Sequence, residues 1–193
     1  MTSPITTVGH GFASARDVLI AENKQVLAAV DVAEWDSAAL LISDARAVFV
    51  IGSGRSGLAA QMAAMRLMHL GLQVHVAGEV TAPAVGAGDV VVAVSGSGTT
   101  AIAVAAAETA NNVGATVVAV TTAPQSPLAE LAARVLVVPA ADKQDHGNAI
   151  TAQYAGSLFE QSVLLAFDAL FHSMWSSREQ SAENLWSRHA NIG

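Results

Sequence analysis

Short, strongly apolar runs alternate along the chain with longer segments rich in alanine and leucine. The apolar runs predict five strands, at residues 47–51, 73–77, 90–94, 116–120 and 135–138. Most of these runs are continuously apolar, which is typical of parallel strands that are covered on both faces. Crossover helices are expected between them, at residues 57–70, 100–112 and 127–132.

Further helices are expected on either side of the strands. Apolar residues recur at helical spacing over 13–32, and a second, shorter helix is predicted over 37–45. After the last strand, 151–173 and 178–189 predict two more helices. The whole pattern predicts an α/β fold, a three-layer αβα sandwich around a five-stranded parallel sheet with the flavodoxin-like order 2-1-3-4-5.

The length of 193 residues fits a single domain, residues 1–193, without a long linker. Its parts are expected to be N-terminal helices over about 11–45, a sheet core over about 47–139 and C-terminal helices over about 150–190.

Composition excludes several classes of function. With 9 Lys and Arg against 16 Asp and Glu, the formal charge of −7 provides no basic field for nucleic acid or an anionic membrane. The longest apolar stretch, residues 150–171, is interrupted by the polar residues Gln153, Glu160, Gln161 and Asp168. These interruptions favour a buried helix over a membrane span. The chain has no cysteine and its first residues lack the apolar core of a signal peptide, so we expect a soluble cytoplasmic protein.

Two glycine-serine loops carry the candidate chemistry. They are Gly52-Ser53-Gly54-Arg55-Ser56-Gly57 and Ser95-Gly96-Ser97-Gly98-Thr99-Thr100. Each follows a predicted strand and opens a predicted helix, where free N–H groups and hydroxyls bind oxyanions. In the predicted strand order the two loops are neighbours at the carboxyl edge of the sheet, so both are expected to face one phosphate.

Two other interpretations compete with a sugar-phosphate site. The first loop matches G-x-G-x-x-G, and Glu79 after the second strand would be the ribose-binding acid of a dinucleotide fold. That interpretation leaves the second loop unexplained. Alternatively the loops are only tight strand-to-helix turns, although serine at Ser53, Ser56, Ser95 and Ser97 is more than turning requires.

A family resemblance rests on motifs that run from about residue 10 to the end of the chain. The motifs are Val48–Gly57, Met65–Gly71, Gly78–Pro83, Ser95–Gly98, Ser157–Glu160 and Arg188–Asn191. They resemble the sugar isomerase (SIS) domain family, and within it the isomerases of hexulose phosphates. The resemblance implies a homotetramer, no cofactor, and interconversion of 3-hexulose 6-phosphate with fructose 6-phosphate. This reaction belongs to the ribulose monophosphate route of formaldehyde assimilation, where a hexulose-phosphate synthase supplies the substrate.

The implied reaction moves a ketone from C3 to C2 through a cis-enediol, and a carboxylate is suited to carry the proton. The resemblance places this base at Glu160, one of two acids between Ile150 and Phe171. Without the resemblance, the default interpretation of Glu160 is a glutamate on the solvated edge of the last long helix.

The resemblance also implies the substrate-binding residues. They are Gly52, Gly54, Arg55, Ser56, Glu79, Ser95, Gly96, Ser97, Gly98, Thr99 and Thr100. Ser56, Ser95, Ser97 and Thr100 are expected to hold the phosphate together with main-chain N–H groups. Arg55 is expected to contact the ligand, and the alternative is an ion pair with an acid such as Glu79.

Histidines at His69 and His189 fall within the family motifs and are candidates for moving hydroxyl protons or opening the sugar ring. We expect His189, near the C-terminus, to complete the site of a neighbouring subunit. The other four histidines, His10, His75, His146 and His172, have no such support. No histidine or acid cluster has metal-ligand spacing, so no metal is expected.

One departure bears on specificity, because Thr99 stands where SIS domains often carry glutamate. Two other functions remain open within the family. One is an isomerase of another sugar phosphate, such as arabinose 5-phosphate, and the other is a non-catalytic sugar-phosphate sensor. A sensor in a transcriptional regulator would need a DNA-binding module, and the roughly 45 residues before the first strand are expected to be too few for both such a module and a linker.

Overall fold

A computed structural model describes residues 11–141 and 151–192. Seven helices and five strands lie in these ranges: α1 Phe12–Ala28, α2 Val32–Asp44, β1 Val48–Gly52, α3 Gly54–His69, β2 Val74–Val76, β3 Val90–Val94, α4 Ala101–Asn112, β4 Thr116–Thr121, α5 Pro127–Glu130, β5 Arg134–Val137, α6 Ser157–Ser176 and α7 Ala182–Trp186. None of these helices is long and apolar enough to span a membrane.

The five strands form one parallel sheet with the order β2-β1-β3-β4-β5. The predicted fold class and strand order are therefore confirmed. In the register of β1 and β3, Gly52 lies opposite Val94, so these central strands end at the same level. The two glycine-serine loops consequently leave the sheet side by side.

Helices cover both faces of the sheet, which explains the continuously apolar strands. Successive residues of a strand point to opposite faces. Val48 and Val50 belong to a core shared with α2, α3 and α6. Phe49 and Ile51 belong to a second core, shared with α4 and α5. Full burial of each such side chain contributes about 1.5–3 kcal/mol to folding.

The N-terminal helices differ from their predicted bounds. The helix predicted over 13–32 ends at Ala28, and the helix predicted over 37–45 begins at Val32. The cause is a helix cap at Asp31, whose Oδ1 accepts hydrogen bonds from the N–H groups of Ala33 (3.0 Å) and Glu34 (3.3 Å). An aspartate in this position starts a new helix.

The C-terminal helices are also shorter than predicted. The long helix begins at Ser157 rather than residue 151, because the preceding backbone bends and Ala155 has a φ of 48°. The last helix covers only Ala182–Trp186 instead of 178–189. Glu179, with a φ of 49°, lies outside helical geometry, and Ser181 caps the new helix by accepting the N–H of Asn184.

Candidate active site at the carboxyl edge of the sheet

The two loops occupy the edge where β1 and β3 end. The first loop, residues 52–57, joins β1 to α3, and the second loop, residues 95–100, joins β3 to α4. Each loop therefore lies between a strand and a helix start. The N–H groups in the first turn of a helix have no partner inside the helix, and the helix dipole favours an anion there.

Glycine is required where the first loop folds back on itself. A Cβ on Gly57 would lie 2.7 Å from the carbonyl oxygen of Gly52, a backbone atom that has no room to move. Gly54 has a φ of 56°, which side-chain-bearing residues rarely adopt. These positions let the backbone turn within a few residues from β1 into α3.

The second loop is fixed to β4 and α5 by hydrogen bonds. The carbonyl oxygen of Gly96 accepts bonds from the hydroxyls of Thr121 (2.9 Å) and Thr122 (2.9 Å). The carbonyl oxygen of Gly98 accepts the N–H of Leu128 at 3.0 Å. This loop is therefore held by the neighbouring elements independently of a ligand.

The hydroxyl groups of the loops differ in their partners. Ser95 Oγ lies 2.8 Å from Thr100 Oγ1, and Ser97 Oγ lies 2.9 Å from Thr99 Oγ1. Ser56 is buried, with 2% of its surface exposed, and its Oγ has no hydrogen-bond partner among the described residues. Such an unpaired group costs about 1–3 kcal/mol. Ser56 is therefore a hydroxyl that a bound oxyanion would satisfy.

Glu160 lies in the first turn of α6 and is 8% exposed. Its Oε2 accepts a hydrogen bond from Nε of Arg55, in the first loop. The side chain of Arg55 is 63% exposed, so its guanidinium also faces solvent. This ion pair joins the first turn of α6 to the first glycine-serine loop.

The alternative expected for Arg55, an ion pair with an acid, is present in the structure, but the acid is Glu160 and not Glu79. Glu79 follows β2 and lines a separate cavity of about 480 Å³ with Phe49, Ile51 and Ile102. The structure thus does not bring Glu79 to the ion pair between Arg55 and Glu160.

The second loop also reaches α6. A Cβ on Gly96 would lie 3.3 Å from the ring of Phe159, the residue before Glu160. Both glycine-serine loops and the first turn of α6 therefore meet at one place. The arrangement combines oxyanion donors, a cation and a buried carboxylate.

The two candidate histidines lie at the opposite edge of the sheet. His69 is in the last turn of α3, whereas Ser56 is in its first turn. At 1.5 Å per residue, α3 separates the two by about 20 Å. Within one chain, the structure therefore does not bring His69 or His189 to Glu160.

His69 and His189 are neighbours in space. Their rings stack with centroids 4.5 Å apart, and Trp186 packs on His189 at 4.7 Å. Arg188 donates a hydrogen bond to the carbonyl oxygen of His69 (3.2 Å). Burial, followed by the charges of His189 and Arg66, lowers the pKa of His69 below its usual 6.5.

Among the residues that the structure describes, no group of three or more histidines and acids lies close enough to hold a metal ion. His10 and His146 lie outside the described residues.

Sequence reasoning missed a cavity of about 550 Å³ that adjoins Arg55 and is lined in part by Gln153, Ser157 and Gln161. From the sequence, the two glutamines were visible only as interruptions of an apolar stretch. Their role depends on contacts with α1, more than a hundred residues away along the chain.

Comparisons with known proteins agree with this architecture. A family model described as the SIS domain matches residues 41–171. A Mycobacterium gastri protein named 3-hexulose-6-phosphate isomerase is 53% identical over 145 residues, which cover 75% of this chain and 73% of that protein. A Bacillus subtilis protein of the same name is 36% identical over 160 residues, covering 82% and 86%.

A solved structure shows the same fold. The crystal structure of a Methanococcus jannaschii protein, from which a function of 3-hexulose-6-phosphate isomerase was inferred, matches with a TM-score of 0.81. The match covers 93% of this chain and 99% of that one at 24% identity. From the family match, the relatives and the fold together, the chain belongs to the SIS domain family.

Proposed function

We propose that this protein interconverts 3-hexulose 6-phosphate and fructose 6-phosphate without a cofactor, as a 6-phospho-3-hexuloisomerase. Relatives at 53% and 36% identity carry the name of that isomerase and support a sugar-phosphate isomerase. The structural observation that carries the proposal is the ion pair of Arg55 with Glu160. It places a buried carboxylate beside two loops suited to a phosphate group.

The phosphate is held by the paired loops. Ser56, Ser95, Ser97 and Thr100 contribute hydroxyls, and the segments Gly52–Gly57 and Gly96–Thr99 contribute main-chain N–H groups. The starts of α3 and α4 add two positive helix ends. These local donors explain how a chain with a formal charge of −7 can bind an anion.

Glu160 acts as the base that moves the proton. From 3-hexulose 6-phosphate its carboxylate removes the proton on C2, and the C3 carbonyl becomes the second oxygen of a cis-enediolate. Return of the proton to C3, with transfer of the C2 hydroxyl proton to the C3 oxygen, leaves a ketone at C2 and a hydroxyl at C3. The guanidinium of Arg55 lies beside the carboxylate and stabilises the negative charge of the enediolate.

His189 is exposed and acts on the hydroxyl protons of a neighbouring subunit's substrate, whereas His69 is 3% exposed and supports the ring of His189 from behind. They lie about 20 Å along α3 from the phosphate loop of their own chain, so a role in catalysis requires a second copy. Assembly is supported by a stripe of exposed apolar side chains on α3, where Leu58, Met62 and Met65 follow each other at helical spacing. We propose a homotetramer.

The reaction also indicates where the protein works. Addition of formaldehyde to ribulose 5-phosphate yields 3-hexulose 6-phosphate, so a hexulose-phosphate synthase must supply the substrate. We place the protein, as a single SIS domain, after that synthase in the cytoplasmic ribulose monophosphate pathway.

The test is an assay of the purified protein with 3-hexulose 6-phosphate, generated by a synthase from formaldehyde and ribulose 5-phosphate. Formation of fructose 6-phosphate is followed, and arabinose 5-phosphate is offered as the alternative substrate. We expect fructose 6-phosphate to form and arabinose 5-phosphate to remain. The reverse pattern, or no fructose 6-phosphate, would contradict the assignment.

A further inference from the structure

The cavity next to Arg55 has polar walls that the proposed reaction has not used. It has a volume of about 550 Å³ and lies between the start of α1, the bend before α6 and the first turn of α6. Its polar lining comes from Ser14, Arg55, Gln153, Tyr154, Ser157 and Gln161. None of the phosphate-loop residues Ser56, Ser95, Ser97 and Thr100 lines it.

The side-chain amide of Gln153 is oriented so that its oxygen remains free to accept a hydrogen bond. Its Nε2 donates a hydrogen bond to Oε2 of Glu22 at 2.9 Å. The same carboxylate accepts the Thr151 hydroxyl (2.7 Å) and the N–H of Ala152 (2.8 Å), which holds it in place. Because a carboxylate can only accept, Gln153 must present its amide nitrogen to Glu22. Its Oε1 then remains as an acceptor.

The side-chain amide of Gln161 has the opposite orientation, because its oxygen is bonded and its nitrogen is free. The amide nitrogen of Asn23 donates to Oε1 of Gln161 at 2.7 Å and to the carbonyl oxygen of Leu19 at 2.9 Å. Since a backbone carbonyl can only accept, the orientation of the Asn23 amide is set, and Ser162 donates to its oxygen at 3.0 Å. Gln161 is therefore the acceptor in its bond with Asn23, and its Nε2 remains as a donor.

The cavity thus offers one amide acceptor and one amide donor beside the ion pair of Arg55 and Glu160. A hydroxyl group needs both, an acceptor for its proton and a donor for its oxygen. Neither Gln153 Oε1 nor Gln161 Nε2 has a hydrogen-bond partner among the described residues. The pair matches a neutral hydroxyl better than a carboxylate or an ammonium group.

We propose that this cavity is the subsite for the C1 hydroxymethyl group of the ketose phosphate. The inference rests on the proposed function, because the proposed reaction sets the order of carbons along the site. The phosphate on C6 binds at the serine loops and the reacting pair, C2 and C3, lies at Glu160. Only C1 extends beyond this pair, away from the phosphate, where Arg55 borders the cavity.

Glu22 and Asn23 are positioning residues in this account. They lie next to each other on α1 and orient the two glutamine amides from outside the cavity. Gln153 and Gln161 determine specificity, since their free atoms contact the hydroxyl.

The experiment compares fructose 6-phosphate with its 1-deoxy analogue, which keeps the phosphate and both reacting carbons. Affinity is measured by calorimetry, and turnover by exchange of the C3 hydrogen with deuterated solvent. The variants are Gln153→Met and Gln161→Met, which keep the length of the side chain and remove the amide. Gln73→Met is the matched control, because Gln73 is exposed and lies just before β2, at the opposite edge of the sheet.

We expect the wild-type protein and the control to bind fructose 6-phosphate more tightly than the analogue, by roughly three- to tenfold for each of the two neutral hydrogen bonds. Each glutamine variant removes one of the two bonds, so it should lower that ratio by roughly three- to tenfold and leave the affinity for the analogue unchanged. A ratio of one in the wild type would overturn the subsite, as would an unchanged ratio in both variants.

The outcomes also separate this inference from the function on which it rests. If the protein binds fructose 6-phosphate more tightly than the 1-deoxy analogue but does not exchange the C3 hydrogen, the result supports the hydroxyl subsite and contradicts the isomerase. If it exchanges the C3 hydrogen but binds both compounds equally, the result supports the isomerase and contradicts the subsite. Failure to bind either compound would contradict both.

Discussion

The candidate site depends on three residues, the buried Ser56 and the ion pair of Arg55 with Glu160. The hydroxyl of Ser56 has no partner among the described residues, so an oxyanion bound there would remove a cost of about 1–3 kcal/mol. The ion pair of Arg55 and Glu160 joins residues 105 positions apart, and Glu79 was a nearer candidate partner. Only the packing of α6 against α3 decides between them.

The second loop makes a prediction about a single glycine. Gly98 has a φ of 64°, and a Cβ there would lie 2.3 Å from the Cβ of Ser126. Gly54 has a similar φ of 56° but open space around the position of its Cβ. We expect Gly54→Ala to lower the free energy of unfolding by about 1–2 kcal/mol from backbone strain alone. Gly98→Ala should cost at least about 2 kcal/mol more, because overlap is added to strain.

Urea unfolding of the two variants and the wild type measures this difference. Equal losses of stability for Gly54→Ala and Gly98→Ala would show that the close approach of the second loop to Ser126 does not matter.

At the scale of elements, the bounds of the strands and of the crossover helices were predicted to within a few residues, and those of the N- and C-terminal helices were not. Continuous apolar runs report burial on both faces, which is a property of the strand itself. Helix ends depend on single polar contacts. Asp31 starts α2 where a longer first helix was predicted, and the bonds to Glu22 keep residues 151–153 out of α6.

The contact of α3 with the C-terminal segment makes stability depend on pH. Burial, and then the charges of His189 and Arg66, lower the pKa of His69 below the value of 6.5 that is usual for an exposed histidine. The unfolded chain therefore takes up the proton more readily than the folded protein, and stability falls as the pH drops below 6.5. His69→Gln removes this contribution, so the variant should lose less stability than the wild type between pH 7.5 and pH 5.5.

Denaturant unfolding at the two pH values gives the comparison. His172→Gln is the matched control, because His172 is exposed and lies outside the stacked pair of His69 and His189. If His69→Gln lost as much stability on acidification as the wild type and the control, His69 would not be the source of the pH dependence of stability.

At the scale of the whole molecule, one chain holds the two halves of the proposed machinery at opposite edges of its sheet. The serine loops and Glu160 lie at the carboxyl edge, and His69 and His189 lie about 20 Å away along α3. The helix predicted over 57–70 already implies that the first loop and His69 lie at opposite ends of one helix. The position of His189 could not be predicted, because it depends on the stacking of His189 on His69, 120 residues earlier in the chain. The proposed assembly of several copies would bring both halves to one substrate.

We propose that Glu160 of one subunit and His189 of another form one isomerase site. The most direct test of this proposal is the rate at which fructose 6-phosphate forms from 3-hexulose 6-phosphate with Glu160→Gln, with His189→Ala, and with the two variants assembled together. Glu130→Gln, a change on an exposed acid of α5, is the control.

Loss of a general base lowers turnover by about 10²- to 10⁴-fold, so we expect Glu160→Gln to be nearly inactive and the control to match the wild type. His189→Ala should also be impaired. In an equal mixture assembled at random, about a quarter of the sites would combine an intact Glu160 with an intact His189 of another subunit. We expect this mixture to regain about a quarter of the wild-type rate. A wild-type rate from Glu160→Gln alone, or no recovery in the mixture, would contradict the proposal.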